Sequence, residues 1–108
     1  MAPELNAYKL TIPKIEKLRQ RWGMSKEDWQ RAAIGFAEMH RDQAPPEIQA
    51  RLAVDRLSLL PTETILICEI FLLVLVAAEE RAKSIGAEID PAACWRTALT
   101  IVGGRHER

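Results

Sequence analysis

Histidine, cysteine and glycine are all scarce in this chain, and each scarcity removes a class of chemistry. Only His40 and His106 stand in its 108 residues, and neither has a second ligand type at the i, i+4 spacing that builds a helical zinc motif. The two cysteines, Cys68 and Cys94, form no Cys-x-x-Cys pair and no disulfide framework of the kind that marks secreted domains. The five glycines include no phosphate-cradling loop, and Gly103-Gly104 reads as a helix stop. A formal net charge of zero gives no global electrostatic case for nucleic acid or an anionic membrane. The opening MAPELNAYKLTIPK lacks a basic start followed by an apolar core, so no signal peptide is read there and a cytoplasmic location is expected.

Paired acid and base groups are missing too. Glu79 and Glu80 occupy adjacent helical positions that point about 100° apart. Cys94 lies near the start of a predicted helix, where a thiol pKa is lowered, but no base accompanies it, and a structural role is expected. No catalytic residue, cofactor or metal site is therefore expected, and the chain does not read as an enzyme.

What the sequence does have is apolar residues, 48% of the chain, concentrated in one stretch. Residues 61–86 read PTETILICEIFLLVLVAAEERAKSIG, and residues 65–78 are apolar at every position except Glu69. Pro61 suits the first position of a helix, Thr62 or Thr64 can cap it, and Glu63 suits its positive end. Arg81 and Lys83 fall in the last turn, and Gly86 can supply the left-handed terminator. The run is too long and too free of alternation for a strand. As a helix, residues 65–78 cover about 21 Å, short of a hydrocarbon core of roughly 30 Å. Glu69 inside the run, and flanks without an aromatic belt or basic cluster, also argue against a membrane span. Glu69 lies either on a wet strip with Glu80 and Lys83, which is the expectation, or buried against an Arg or hydroxyl partner. Cys68, inside the run, is expected as a small buried hydrophobe.

Four amphipathic helices surround this element in the sequence. The first ten or so residues look loose, and Thr11 with Pro13 then starts a helix carrying Ile15, Leu18 and Trp22 on one stripe, stopped by Gly23. Ser25 caps the next helix in a capping box with Asp28, with Met24 and Trp29 as its staple. Its Trp29, Ala33, Phe36 and Ala37 face one way, and its end is expected near Gln43. Pro46 starts a third helix bearing Ile48, Leu52 and Leu57, closed by Leu59-Leu60-Pro61. Asp90-Pro91 starts the last, with Trp95, Leu99 and Val102 as its stripe.

The sequence therefore predicts an all-α fold, a single domain over residues 1–108. It is a small bundle of about five helices around one long apolar helix, dimerised through that helix, with residues 1–11 loose and 103–108 a polar tail. The reasoning for a dimer is that one small protomer has difficulty covering a long helix that is apolar all round. A monomeric bundle of unassigned partner is the alternative. Charge is uneven: residues 1–31 carry seven basic and four acidic side chains, residues 32–90 five and ten, and the rest three and one. Solvated helix faces account for this.

Two resemblances follow. Residues 15–29, IEKLRQRWGMSKEDW, resemble the opening of a Cro/repressor-type helix-turn-helix domain, with a Leu-Arg segment, a Gly, an apolar residue, then Ser and acidic residues before a helix. The pattern departs afterwards, because residues 30–43 read as one long helix with no recognition helix behind it. DNA binding is thus an alternative, and no direct nucleic-acid contact is expected. The apolar run of residues 65–78, in a chain of this size, is similar to that of bacterial quorum-sensing anti-activators of the QslA type, in size, composition and apolar-helix character. That resemblance implies an all-helical homodimer that binds a LuxR-type transcription factor, occludes its dimer interface and prevents DNA binding. Carried onto this chain, it gives Ile67, Ile70, Phe71, Val74 and Leu75 the protein-contact role. Phe71, the only aromatic in the run, is the anchor in this reading and a core residue in the alternative.

Overall fold

In the computed structural model, which describes residues 3–52 and 61–104, every regular element is helical. Helix α1 spans Pro3–Arg21, α2 Lys26–Met39, α3 Pro46–Leu52, α4 Thr62–Ile85 and α5 Pro91–Gly104, with a single 3₁₀ turn at Arg41–Gln43 between α2 and α3. The radius of gyration, 13.6 Å, is close to the roughly 13 Å of a compact domain of this length.

The helix boundaries follow local chemistry. Gly23 adopts φ 65°, which costs an L-residue more than glycine. That conformation lets the Met24 N–H reach the Arg19 carbonyl at 3.0 Å and the Gly23 N–H the Gln20 carbonyl at 3.1 Å, closing α1 as a Schellman turn. Arg19 ties the same corner: its Nη1 donates to the Met24 carbonyl at 2.9 Å and its Nη2 to Glu16 Oε2 at 2.7 Å. Ser25 Oγ accepts the Asp28 N–H at 3.1 Å, with Glu27 and Asp28 in the favourable first turn of α2. Asp90 Oδ1 accepts the Ala92 N–H at 3.1 Å and starts α5, with Pro91 in its first position. Gly86, at φ 68°, ends α4 in the left-handed conformation.

Several expectations are corrected. Helix α1 begins at Pro3, so residues 3–11 are helical rather than loose, and Pro13 lies inside the helix. Thr11 is buried in mid-helix instead of capping it. An interior proline loses one backbone hydrogen bond and crowds the preceding turn, and the core packing of Ile15 and Leu18 offsets that cost. Trp22 and Phe36 belong to their stripes only in part, at 43% and 38% exposure, and Ile34 takes the buried place beside Trp29, Ala33 and Ala37. Helix α2 stops at Met39, earlier than Gln43, and the 3₁₀ turn fills the interval. Pro61 is the residue preceding α4, not its first, and neither Thr62 nor Thr64 caps; Thr64 is buried. Gly103 and Gly104 lie within α5 and form its last residues. Leu57, Leu59 and Leu60 fall outside the described residues.

Helix α4 packs chiefly against α2 and α5, and α1 lies mainly on α5 with a smaller contact to α4. One core cluster joins Ile15 and Leu18 of α1, Trp29 and Ala33 of α2, and Ile48 and Leu52 of α3 to the inner face of α4 and to Trp95, Ala98 and Val102 of α5. Although α4 is 24 residues long, it is not a long apolar helix covered on all sides. Its apolar part ends at Ala78, its last turns are charged and exposed, and Leu66, Leu73, Val74 and Val76 are only half covered. Among the described residues no helix is long and apolar enough to cross a membrane.

Candidate functional site

Helix α4 has two unlike faces. The inner one carries Ile67, Cys68, Ile70, Phe71, Leu72 and Leu75, all buried. The Phe71 ring stacks on Trp95 with centroids 3.8 Å apart and planes 8° from parallel, while the His40 ring meets Phe71 edge-on at 5.8 Å. Trp95 Nε1 donates to the His40 carbonyl at 3.0 Å. Three segments distant in sequence are thus joined at one aromatic cluster, with the indole N–H satisfied as burial demands.

This arrangement corrects the predicted contact set. Ile67, Ile70, Phe71 and Leu75 point into the protomer's own core and offer no surface to a partner. Val74 alone of the five is part-exposed. One protomer's own helices enclose the other four side chains, Phe71 through its stack on Trp95.

Glu69 is neither on a wet strip nor isolated in the core. It is half-buried between α2 and α4, where Gln30 Nε2 donates to its Oε1 at 3.0 Å. A carboxylate in that position needs such a donor. Its proximity also bears on Cys68. Burial first, then the negative charges of Glu69 and Glu38, push the Cys68 thiol up to about 12. Burial likewise raises Cys94, aided by Asp90, so the helix N-terminus does not activate it. Neither cysteine has the depressed pKa of a nucleophile. Among the described residues no group of three or more His, Cys, Asp or Glu side chains is placed to hold a metal ion.

The outer face of α4 is different. Beside it run two shallow grooves open to solvent. The larger, about 490 Å³, lies between α4 and α5, with Thr11 and Lys14 of α1 on its border. Its floor includes Val74, Ala78 and Ile101, with Lys14 and Arg81 as cations and Glu88 and Asp90 as acids. The smaller, about 240 Å³, lies between α1 and α4, with Leu18, Leu73 and Val76 below and Lys14, Lys17 and Arg21 along the rim. Lys14, Leu73 and Ala77 border both. The side chains that line open surface are therefore mostly ones the apolar-run argument passed over. Two signals for them were present in the sequence: the small pair Ala77-Ala78 ending the run, and the i, i+3, i+7 spacing of Lys14, Lys17 and Arg21, which places them on one helix face.

No protein-family model, curated protein or solved structure matches this chain.

Proposed function

We propose that the protein is a non-enzymatic, homodimeric regulatory module of the cytoplasm, which binds a larger protein through the outer face of α4. In this reading the target is a LuxR-type transcription factor, whose dimer interface the module occludes so that the factor cannot bind DNA. The observation that carries the binding role is the pair of open apolar grooves flanking α4, floored by Leu73, Val74, Val76 and Ala78. Concave apolar surface between helices is the usual seat of a partner's helix. The resemblance of residues 65–78 to the anti-activators supplies the target class.

The mechanism is competitive. A stable protein interface buries roughly 1,200–2,000 Å² in total, more than either groove provides, so α1 and α5 contribute alongside α4. Part of this surface holds the second copy and part holds the target. Phe71 has no direct share in it, because it is enclosed.

Affinity capture from the native cell extract, with the bound proteins identified by mass spectrometry, tests the reading. The wild-type protein is expected to retain a LuxR-type regulator, and Ala77→Arg, which fills both grooves from an exposed position, is expected to lose it. Recovery of no such regulator refutes the target. A monomeric mass in light scattering refutes the homodimer.

A further inference from the structure

The excess of positive charge in residues 1–31 acquires a place in the fold. Leu10, Lys14, Lys17 and Arg21 follow one another at i, i+4, i+7 and i+11 and so share one face of α1. All four are exposed, and the last three form the rim of the smaller groove, above the floor of Leu73 and Val76. Arg21 meets Glu80 across that groove at 3.6 Å. No carboxylate of the described residues lies within ion-pair distance of Lys14 or Lys17. An apolar trough results, with two uncompensated cations, Lys14 and Lys17, on one wall and Arg21 paired with Glu80 at its end. From Leu10 to Arg21 the row covers roughly 16 Å, or about three helical turns.

We infer that the groove between α1 and α4 is the docking site for an acidic amphipathic helix of a partner protein. The inference rests on the reading of this protein as a protein-binding module and names the chemistry of the segment it takes. The partner's apolar side chains, spaced i, i+3/i+4, i+7, lie on Leu73, Val76 and Ala77, and its Asp or Glu side chains face Lys14 and Lys17. The apolar floor supplies affinity, and the cations set orientation and reject basic helices.

Charge decides against the other occupants. A second copy of this chain seated here about a twofold axis that crosses the groove places two lysine rows face to face. Like charges so juxtaposed are unfavourable. About an axis along the groove, it sets each row against an α4 wall whose Glu80 is already paired with Arg21. A membrane surface is met by an apolar helix face that projects into the lipid, whereas here Leu73 and Val76 lie beneath the cations and Leu10 is the one exposed apolar side chain of the row.

The test is fluorescence anisotropy of a labelled synthetic helix of about 15 residues, with Leu at i, i+3/i+4, i+7 positions and Glu on its flanks, titrated with the full chain. A twin peptide carrying Lys in place of each Glu is the control. The acidic peptide is expected to bind at least about tenfold more tightly than the twin, and to weaken as salt rises from about 50 to about 500 mM. The double variant Lys14→Glu/Lys17→Glu is expected to lose about tenfold in affinity, and Ala77→Arg to lose binding by filling the floor. Lys26→Glu, at the start of α2 and outside the groove, leaves binding unchanged. Circular dichroism verifies that each variant keeps its helices.

Equal binding of the two peptides, no binding at about 1 mM, or indifference to the lysine reversals overturns the inference. So does a dimer that Ala77→Arg dissociates while the peptide fails to bind, which gives the groove to a second copy. Lysine-dependent sedimentation with phosphatidylglycerol vesicles, without peptide binding, gives it to lipid and overturns the inference equally. A LuxR-type regulator still captured by the Lys14→Glu/Lys17→Glu variant sinks this inference and spares the proposed function. A peptide bound as described, with no such regulator captured, does the reverse.

Discussion

Phe71 shows how much a single side chain's surroundings change its meaning. It is fully enclosed, stacked on Trp95 and edged by His40. Phe71→Ala therefore removes a buried ring from a packed cluster, and a loss of about 3–5 kcal/mol in unfolding free energy is expected from chemical denaturation. Full stability in that variant would return Phe71 to the surface. Cys68 makes a second prediction at this scale. Its thiol is held neutral to about 12, against 9.0 for a solvent-exposed cysteine. The folded state binds that proton more tightly than the unfolded state, so its contribution to stability is complete below pH 9 and disappears as pH rises through the folded value. Between those limits, wild-type stability is expected to fall more steeply than that of Cys68→Ala, as measured by denaturant midpoints at successive pH values. Parallel slopes would mean that Cys68 is accessible to water.

Among elements, the glycines of α2 and α4 behave in opposite senses. Gly35 sits on the exposed side of α2 at an ordinary helical φ, and a Cβ there would meet nothing within 4 Å. Gly35→Ala is expected to raise unfolding free energy by about 0.5–1 kcal/mol. Gly86, at φ 68°, terminates α4. Its replacement by Ala is expected to cost roughly 1–2 kcal/mol, since an L-residue is strained there. Paired denaturation curves test both, and a shift of the same sign in both variants would contradict the assignment. Legibility in the sequence divides at this scale as well. The Gly23 and Gly86 stops, the Ser25 cap and the Asp90-Pro91 start depend on contacts between residues a few positions apart, and local sequence carries that information. The passage of α1 through Pro13 does not, because distant contacts of Ile15 and Leu18 outweigh a local penalty. The covered face of α4 was equally hidden. A run that is apolar at all but one position has no periodicity to mark its inner side, and the packing of α4 on α2 and α5 turns Phe71 inward and leaves Val74 part-exposed. The grooves were legible in part, through the spacing of Lys14, Lys17 and Arg21.

For the molecule as a whole, the distribution of charge and of apolar contact separates binding from stability. The ion pairs found among the described residues have exposed or half-exposed partners, and three of the four join i, i+3 neighbours in the sequence. Such pairs contribute little each. The fold is held instead by a core that crosses all five helices. Raising sodium chloride to about 0.5 M is accordingly expected to change unfolding free energy by less than about 1 kcal/mol, read from urea denaturation at low and high salt. A larger decrease would assign the charges a structural share. Salt sensitivity is expected in partner binding, where Lys14 and Lys17 act, and not in folding.

The three indoles are distributed so that the protein reports on itself. Trp95 sits flat against Phe71 with no exposed surface, Trp29 is enclosed in the core, and Trp22, its ring neighbour, looks partly into solvent. Ultraviolet emission from the native chain thus combines two shielded sources with one wetted one. A quencher dissolved in the buffer would extinguish the wetted source first, leaving a spectrum that tracks the integrity of the interior without any attached dye.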